Sequence, residues 1–296
     1  MEWQQINGFY HVAKLGSFTR AAEATYRTQS ALTQQIKSLE RELDCQLFER
    51  IGKRKIALTP LGERFFRFSE SLLQEYDKLI GDIGEHKGLK KGRLKIAAPF
   101  TTLYHLLPEI VKKYNKHFPW VELSLLDRPQ RDVIALVKSG DVDFGIAVEG
   151  MIPRDLNKHR WKKVEPVLLT QAGHPLARAK HVSLEKIAQC PLILPPKSTE
   201  SLHRNKLEDL FRRHGLGYFV IMESSNVELS SLYVEMGLGV TFASIVKGLP
   251  VFKKRKKLGY VSLSHYLGFE HICIATRKDK KTTVYQEAFL TMMLGN

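Results

Sequence analysis

The sequence predicts an α/β chain in three parts: a small trihelical head ending in a β-wing, one long helix, and a two-lobed unit of alternating strands and helices. Three observations carry that expectation. Residues 1–59 hold three short helical patterns and a basic hairpin, residues 60–91 an apolar seam at heptad spacing running into a hinge, and residues 92–296 strand patterns separated by helical ones. At 296 residues and 43% hydrophobic, the chain can fill more than one core.

The first helix is expected over Glu2–Lys14, where Ile6, Phe9, Tyr10 and Ala13 recur at helical spacing and Gly16 stops it. Ser17 or Thr19 can cap a second, in which Ala21, Ala22 and Ala24 are small enough for close helix–helix approach. Arg27–Gln29 is expected to supply a tight connection. In the third helix, at about 100° per residue, Leu32, Ile36, Leu39 and Leu43 form one apolar stripe. Ser30, Thr33, Gln34, Lys37 and Arg41 fall opposite.

A polar face alone is only a solvated face. The neighbouring segment gives it meaning: Leu47–Thr59 has two apolar stubs around Gly52 with Arg50, Lys53, Arg54 and Lys55, the pattern of a small cationic wing. Three helices and a wing suit a winged helix-turn-helix, whose second helix of the pair enters a major groove. On that geometry Gln29, Ser30, Thr33 and Gln34 are candidates for reading bases, with Lys37 on the same face. Arg20, Arg50, Lys53 and Arg54 are candidates for holding phosphates.

These strings carry a resemblance. SFTRAAEA, then TQSALTQQIKSLERELDCQLFER, then LTPLGE resemble the winged helix-turn-helix of the LysR-type bacterial transcriptional regulators. One departure is Ser30, where that family usually has proline; a first-turn proline only pre-organises a helix, so the change bears on base preference more than on fold.

Thr59-Pro60 opens the long helix, a cap residue followed by proline at the first helical position. Phe65, Ser69, Leu72, Tyr76, Leu79 and Ile83 occupy its a and d positions, an apolar seam broken at Ser69. A seam of this length needs a partner, and a homodimeric coiled coil is the expected one. The resemblance likewise implies a linker helix pairing two subunits, often within tetramers. Gly84, Gly88 and Gly92 among Lys87, Lys90 and Lys91 read as a hinge.

From Arg93 the expected order is strand 94–98, helix 102–117, strand 121–126, helix 130–138 and strand 143–147. A second round comes after it, with strands at 166–170, 192–194, 219–222 and 240–243 and helices at 199–213 and 227–236. Strand 271–275 and a helix from Thr283 return to the first lobe. The expected lobes are 92–160 with 268–296, and 161–267. This half resembles the effector-binding half of LysR-type regulators, itself similar to periplasmic substrate-binding proteins. The matching strings are Leu107-Pro108-Glu109-Ile110, Phe118-Pro119-Trp120-Val121, Leu136 to Ile146, His174-Pro175-Leu176 and Gly237-Leu238-Gly239-Val240.

Ligands of open α/β sheets sit beyond the carboxyl ends of strands. Thr101 and Thr102, Gln130 and Arg131, and Ser198 and Thr199 come after three such strands, where hydroxyls and free N–H groups at helix starts favour an anion. Matching family positions imply effector contacts at Thr101, Thr102, Gln130, Val148, Ser198, Thr199 and Thr241. A small anion or carboxylate is the expected effector.

Residues 1–91 hold fifteen Lys/Arg and twelve Asp/Glu, so the head carries only +3 of the +15 net charge and the remainder +12. The overall charge is therefore no DNA footprint; Lys253-Lys254-Arg255-Lys256-Lys257 reads as solvated surface. Cys45, Cys190 and Cys273 are far apart and in no paired spacing, so reduced thiols are expected. No leader pattern and no apolar run of about eighteen residues is present, which predicts a cytoplasmic protein with no membrane partner. The chain lacks G-x-S-x-G, H-E-x-x-H, a Walker lysine loop and zinc-spaced cysteines, so no catalytic residue, metal or cofactor is expected. An enzyme or a solute carrier is the alternative class. The expected partners are promoter DNA, a small effector, a second copy of the chain and RNA polymerase.

Overall fold

A computed structural model describes residues 1–51, 55–86, 92–179, 181–197, 202–246, 255–279 and 282–295. The chain divides into two units, Met1–Lys91 and Gly92–Asn296.

The first unit is built from α1 (Trp3–Leu15), α2 (Phe18–Ala24), α3 (Gln29–Glu42), β1 (Phe48–Ile51), β2 (Lys55–Leu58) and α4 (Pro60–His86). The Glu2 N–H donates to Gln5 Oε1 at 2.7 Å to start α1, and Gly16 ends it at φ 60°. Ser17, rather than Thr19, caps α2, its Oγ accepting from the Arg20 N–H at 3.3 Å. The connection to α3 falls at Thr25–Thr28, one to two residues earlier than expected. There Tyr26 takes a left-handed φ of 54°, the Arg27 N–H donates to the Ala22 carbonyl at 2.9 Å, and Thr28 Oγ1 caps α3 by accepting from the Ala31 N–H at 3.2 Å. Leu32, Ile36 and Leu39 are buried against Phe9, Val12 and Leu47; Leu43 closes α3 as its cap residue and stays exposed.

β1 and β2 pair antiparallel, Phe48 opposite Leu58 and Ile51 opposite Lys55. The Glu40 carboxylate orients the wing by accepting from the N–H groups of Leu47 at 2.8 Å and Phe48 at 3.2 Å. Thr59 Oγ1 accepts from the Gly62 N–H at 2.9 Å and donates to the Gln46 carbonyl at 2.8 Å, locking the start of α4 to the strand entrance. Gly62 is required there, because a Cβ would lie 2.0 Å from the Leu47 carbonyl oxygen.

The second unit begins with β3 (Gly92–Ala98), α5 (Phe100–Leu106), α6 (Pro108–His117), β4 (Val121–Asp127), α7 (Gln130–Lys138) and β5 (Phe144–Val148). β6 (Leu156–Gln171), α8 (Leu184–Ala188), β7 (Pro191–Leu194), α9 (Leu202–Arg213) and β8 (Phe219–Glu223) come next. Then come α10 (Val227–Glu235), β9 (Val240–Ile245), β10 (Leu258–Ser262), α11 (Ser264–Leu267), β11 (Glu270–Arg277) and α12 (Val284–Leu294). The strand order is β4-β3-β5-β11-β6-β9-β7-β8, with β10 also on β6. β3 pairs parallel with β4 and β5, and β7 parallel with β8 and β9; β11 and β6 run against their neighbours.

β6 joins the lobes. Its residues through Val164 pair with β11, and from Glu165 onward with β9, so the exchange falls a few residues beyond the expected 160/161 boundary. In the first lobe Leu94, Ile96, Phe144 and Ile274 meet α6 and α12 on one face, and Ala97, Ala147 and Ala275 meet α7 on the other. Gly145 allows that second contact, since a Cβ there would come within 2.4 Å of Val137. Asp143 ties α12 down, accepting from the Lys95 N–H at 2.7 Å and Gln286 Nε2 at 2.8 Å. In the second lobe Leu192, Leu194, Leu207 and Phe211 form one core, and Val167, Ile193, Val234 and Ala243 another.

Three expectations are corrected. The single helix 102–117 is two, because Pro108 has no N–H to return to the Tyr104 carbonyl and α6 starts anew there. The strand expected at 166–170 is the end of a sixteen-residue strand whose first half is charged and half-exposed, with no apolar run to mark it. β10 and α11 were not expected at all.

Candidate ligand cleft and nucleic-acid-reading helix

α3 presents two unlike faces. Leu32, Ile36 and Leu39 are buried, whereas Gln29, Ser30, Gln34 and Lys37 are exposed and Thr33 is half-buried. Thr33 Oγ1 donates back to the Gln29 carbonyl at 2.8 Å, and Thr28 and Ser30 hydroxyls lie 3.1 Å apart. The Arg20 guanidinium donates to the Leu15 carbonyl, which holds a cation beside the α1–α2 turn. Arg50 belongs to β1 by its backbone, while Lys53 and Arg54 lie outside the described residues.

On α4 the seam is spent unevenly. Phe65 packs into the head core rather than away from it, and Ser69 is buried with its hydroxyl donating to the Phe65 carbonyl at 2.7 Å. Leu72 is half-buried, and the Tyr76 ring lies 4.5 Å from Trp3. Leu79 and Ile83 are exposed, joined by Ile80, which the heptad assignment left out.

The second unit contains a cavity of about 500 Å³ between its lobes. Thr101, Thr102, Gln130, Val148 and Thr241 all line it, from α5, α7, β5 and β9. Gln130 Oε1 accepts from the Val148 N–H at 2.9 Å, and Thr241 Oγ1 donates to the Ile193 carbonyl at 2.7 Å. These two are thus shaped by the scaffold, with the Gln130 amide nitrogen still a double donor. Thr102 is buried and its N–H donates to the Pro99 carbonyl at 2.9 Å. That corrects the helix-start argument for an anion: the N–H is already used, and α5 has only seven residues over which to build a dipole. Ser198 and Thr199 lie outside the described residues.

Several cleft residues were not found from sequence. His105 on α5 and Glu228 on α10 meet across the cleft, Nε2 to Oε1 at 2.6 Å. Glu228 Oε2 lies 3.3 Å from Arg255, whose guanidinium also reaches Ser231 Oγ at 2.5 Å and Glu235 at 2.8 Å. The His105 hydrogen bond, against the opposing effect of burial and with the added charge of Arg255, holds the Glu228 carboxyl below its ordinary range. Arg255 therefore corrects the reading of 253–257 as simple solvated surface. Arg204 also lines the cleft and is almost wholly buried, bonded to Glu208 at 2.8 Å and Glu223 at 2.6 Å. A basic run or an isolated glutamate gives no sign of which side chain turns inward.

Other chemistry is not assembled here. Among the described residues no group of three or more His, Cys, Asp or Glu side chains could hold a metal ion, and no helix is long and apolar enough to cross a membrane. The three cysteines are free. Burial, with Glu149 nearby, pushes the Cys273 thiol up to about 11, and burial raises Cys190.

Residues 87–296 match the LysR substrate binding domain family, and residues 3–63 match the bacterial regulatory helix-turn-helix proteins of the lysR family. The HTH-type transcriptional activator CmpR of Synechocystis sp. is 27% identical over 292 residues, covering 99% of this chain and 94% of that protein. The HTH-type transcriptional regulator CysB of Burkholderia cenocepacia is 30% identical over 253 residues, covering 85% and 80%. A full-length OxyR variant from Pseudomonas aeruginosa has the same fold, with a TM-score of 0.69, 19% identity and coverage of 100% and 94%. One unit presents a helix with an aliphatic and a polar face and the other a lined cleft, and the chain belongs to the LysR family of DNA-binding transcriptional regulators, with an effector-binding domain.

Proposed function

We propose that this regulator reads promoter DNA through Gln29, Ser30, Thr33, Gln34 and Lys37, holds phosphates with Arg20, Arg50, Lys53 and Arg54, and is switched by a small anion or carboxylate in the cleft. The observation that carries the reading is the division of α3, aliphatic against the head core and polar toward solvent over the same fourteen residues. The functional segments are 1–59 for DNA, 60–91 for pairing and 92–296 for the effector. The cleft threonines, Gln130 and Val148 support the effector site, as do the matching positions Ser198 and Thr199.

Two copies pair through α4, where Leu79, Ile80 and Ile83 are exposed apolar groups that water would otherwise cover. Pairing lets two heads engage half-sites about one helical turn, or a multiple of it, apart. Effector binding is coupled to the head as a free energy shared between two sites, altering DNA bend or contact with RNA polymerase. The test is footprinting of the purified full-length protein on the DNA upstream of its own gene, with and without added organic anions. Two protected half-sites whose pattern changes with an anion are expected. No protected region at modest ionic strength would refute the reading.

A further inference from the structure

We propose that Glu228 is a resident counter-ion of the cleft, a carboxylate that an anionic effector displaces from between His105 and Arg255. The inference rests on the cleft being the effector site and names the ligand class that the site takes: an organic molecule bearing a two-oxygen anion.

The geometry is specific. Glu228 uses one oxygen on His105 of the first lobe and the other on Arg255 of the second, so a single carboxylate bridges the cleft. His105 is nearly buried, and Arg255 is held in place by Glu235 at 2.8 Å and Ser231 at 2.5 Å. Both partners of the carboxylate are thus fixed, and taking away their shared anion without replacement is unfavourable in a partly buried site. Glu228 is the looser member. Its side chain retains 27% of its exposure, and its contact with Arg255, at 3.3 Å, is the longest in the group. An incoming carboxylate offers the same charge and the same pair of oxygens while Glu228 turns to water, so no charge is left buried alone. Phe100, Ile146, Leu194 and Phe242 also line the cleft and suit a hydrocarbon body beside that anion. Once exchange has occurred, the bridge between lobes passes through the ligand and depends on its presence.

The test uses the full-length protein and acetate, compared with chloride at equal ionic strength, read as thermal unfolding. Glu228→Ala opens the anion position, and its half-saturating acetate concentration is expected to fall at least tenfold below that of the wild type. Adding Arg255→Ala in the same chain is expected to remove the acetate response. Where Glu228→Ala does not fold, Glu228→Gln keeps the side-chain volume without the charge, and an at least threefold fall is expected. An identical acetate response in wild type and variant, or a response that survives Arg255→Ala, would overturn the proposal. Either result is read without DNA, so a protein that still footprints and responds to an organic anion retains its regulatory reading even if Glu228 proves inert.

Discussion

Phe9 on α1 and Phe65 on α4 meet edge to face, ring centroids 4.9 Å apart at 78°. The contact roots the long helix in the head: its first turns complete the core under the wing. Phe65→Ala is expected to lower head stability by roughly 3 kcal/mol, the usual cost of truncating a core aromatic. Denaturant unfolding of the variant measures it, and a loss well under about 1 kcal/mol would mean the ring is dispensable there.

Beyond Tyr76 the helix exposes Leu79, Ile80 and Ile83, the stretch proposed to pair two copies. Leu79→Asp with Ile83→Asp puts two charges into the apolar stretch, and sedimentation velocity should find the dimer population reduced by at least tenfold. Tyr76→Ala should do less, because its ring already packs on Trp3 within the same unit. An unchanged dimer in the double variant would move the pairing surface elsewhere.

The roles proposed for Gln34 and Lys53, base reading and phosphate holding, are separable by experiment. Gln34→Ala is expected to relax discrimination at one base pair by roughly 1–3 kcal/mol. Lys53→Ala should weaken every sequence alike and lower the slope of log affinity against log salt by about one unit. Competition binding over a set of single-base operator variants distinguishes the two. Uniform weakening by both would remove Gln34 from the reading face.

Thr102 lines the cleft from a buried position, while the head is a separate unit. Thr102→Ala should therefore raise the anion concentration needed for the footprint change by at least about tenfold, since a lost hydrogen bond to a charged ligand is worth roughly 1.5–3 kcal/mol, and leave affinity for unliganded promoter DNA within about twofold. An unaltered ligand titration would displace Thr102 from the site.

Cys273 is buried, and its thiol is pushed up to about 11, so it stays protonated where an ordinary thiol is already ionising. Alkylation of the folded protein at pH 9 should modify Cys273 at least a hundredfold more slowly than the same residue after unfolding. The sign comes from the raised value: the neutral thiol's contribution to stability is fully present below the ordinary thiol range and is lost as pH climbs toward 11. Rapid native labelling would mean the lobe opens readily around β11.

Much of this was legible in the sequence. Apolar residues at three- and four-residue spacing placed α1 to within a residue and marked the buried stripe of α3, and Thr59-Pro60 marked where α4 begins. Family positions led to the cleft threonines and Gln130, all of which line one cavity. What escaped was the first half of β6, β10, and the bridge from His105 through Glu228 to Arg255.

The division has one physical cause. Periodicity, caps and turn residues act over three to seven positions, so the sequence alone determined the helical head, the strand–helix alternation, and which side of α3 faces water. The cleft bridge joins positions 105, 228 and 255, whose residues come together only because β6 carries the chain from one lobe into the other. Tertiary structure decided that Arg255, one of five consecutive cations, turns toward two carboxylates, and that Phe65 packs against the head core. Burial and long-range pairing set those outcomes, and neither leaves a mark at short range.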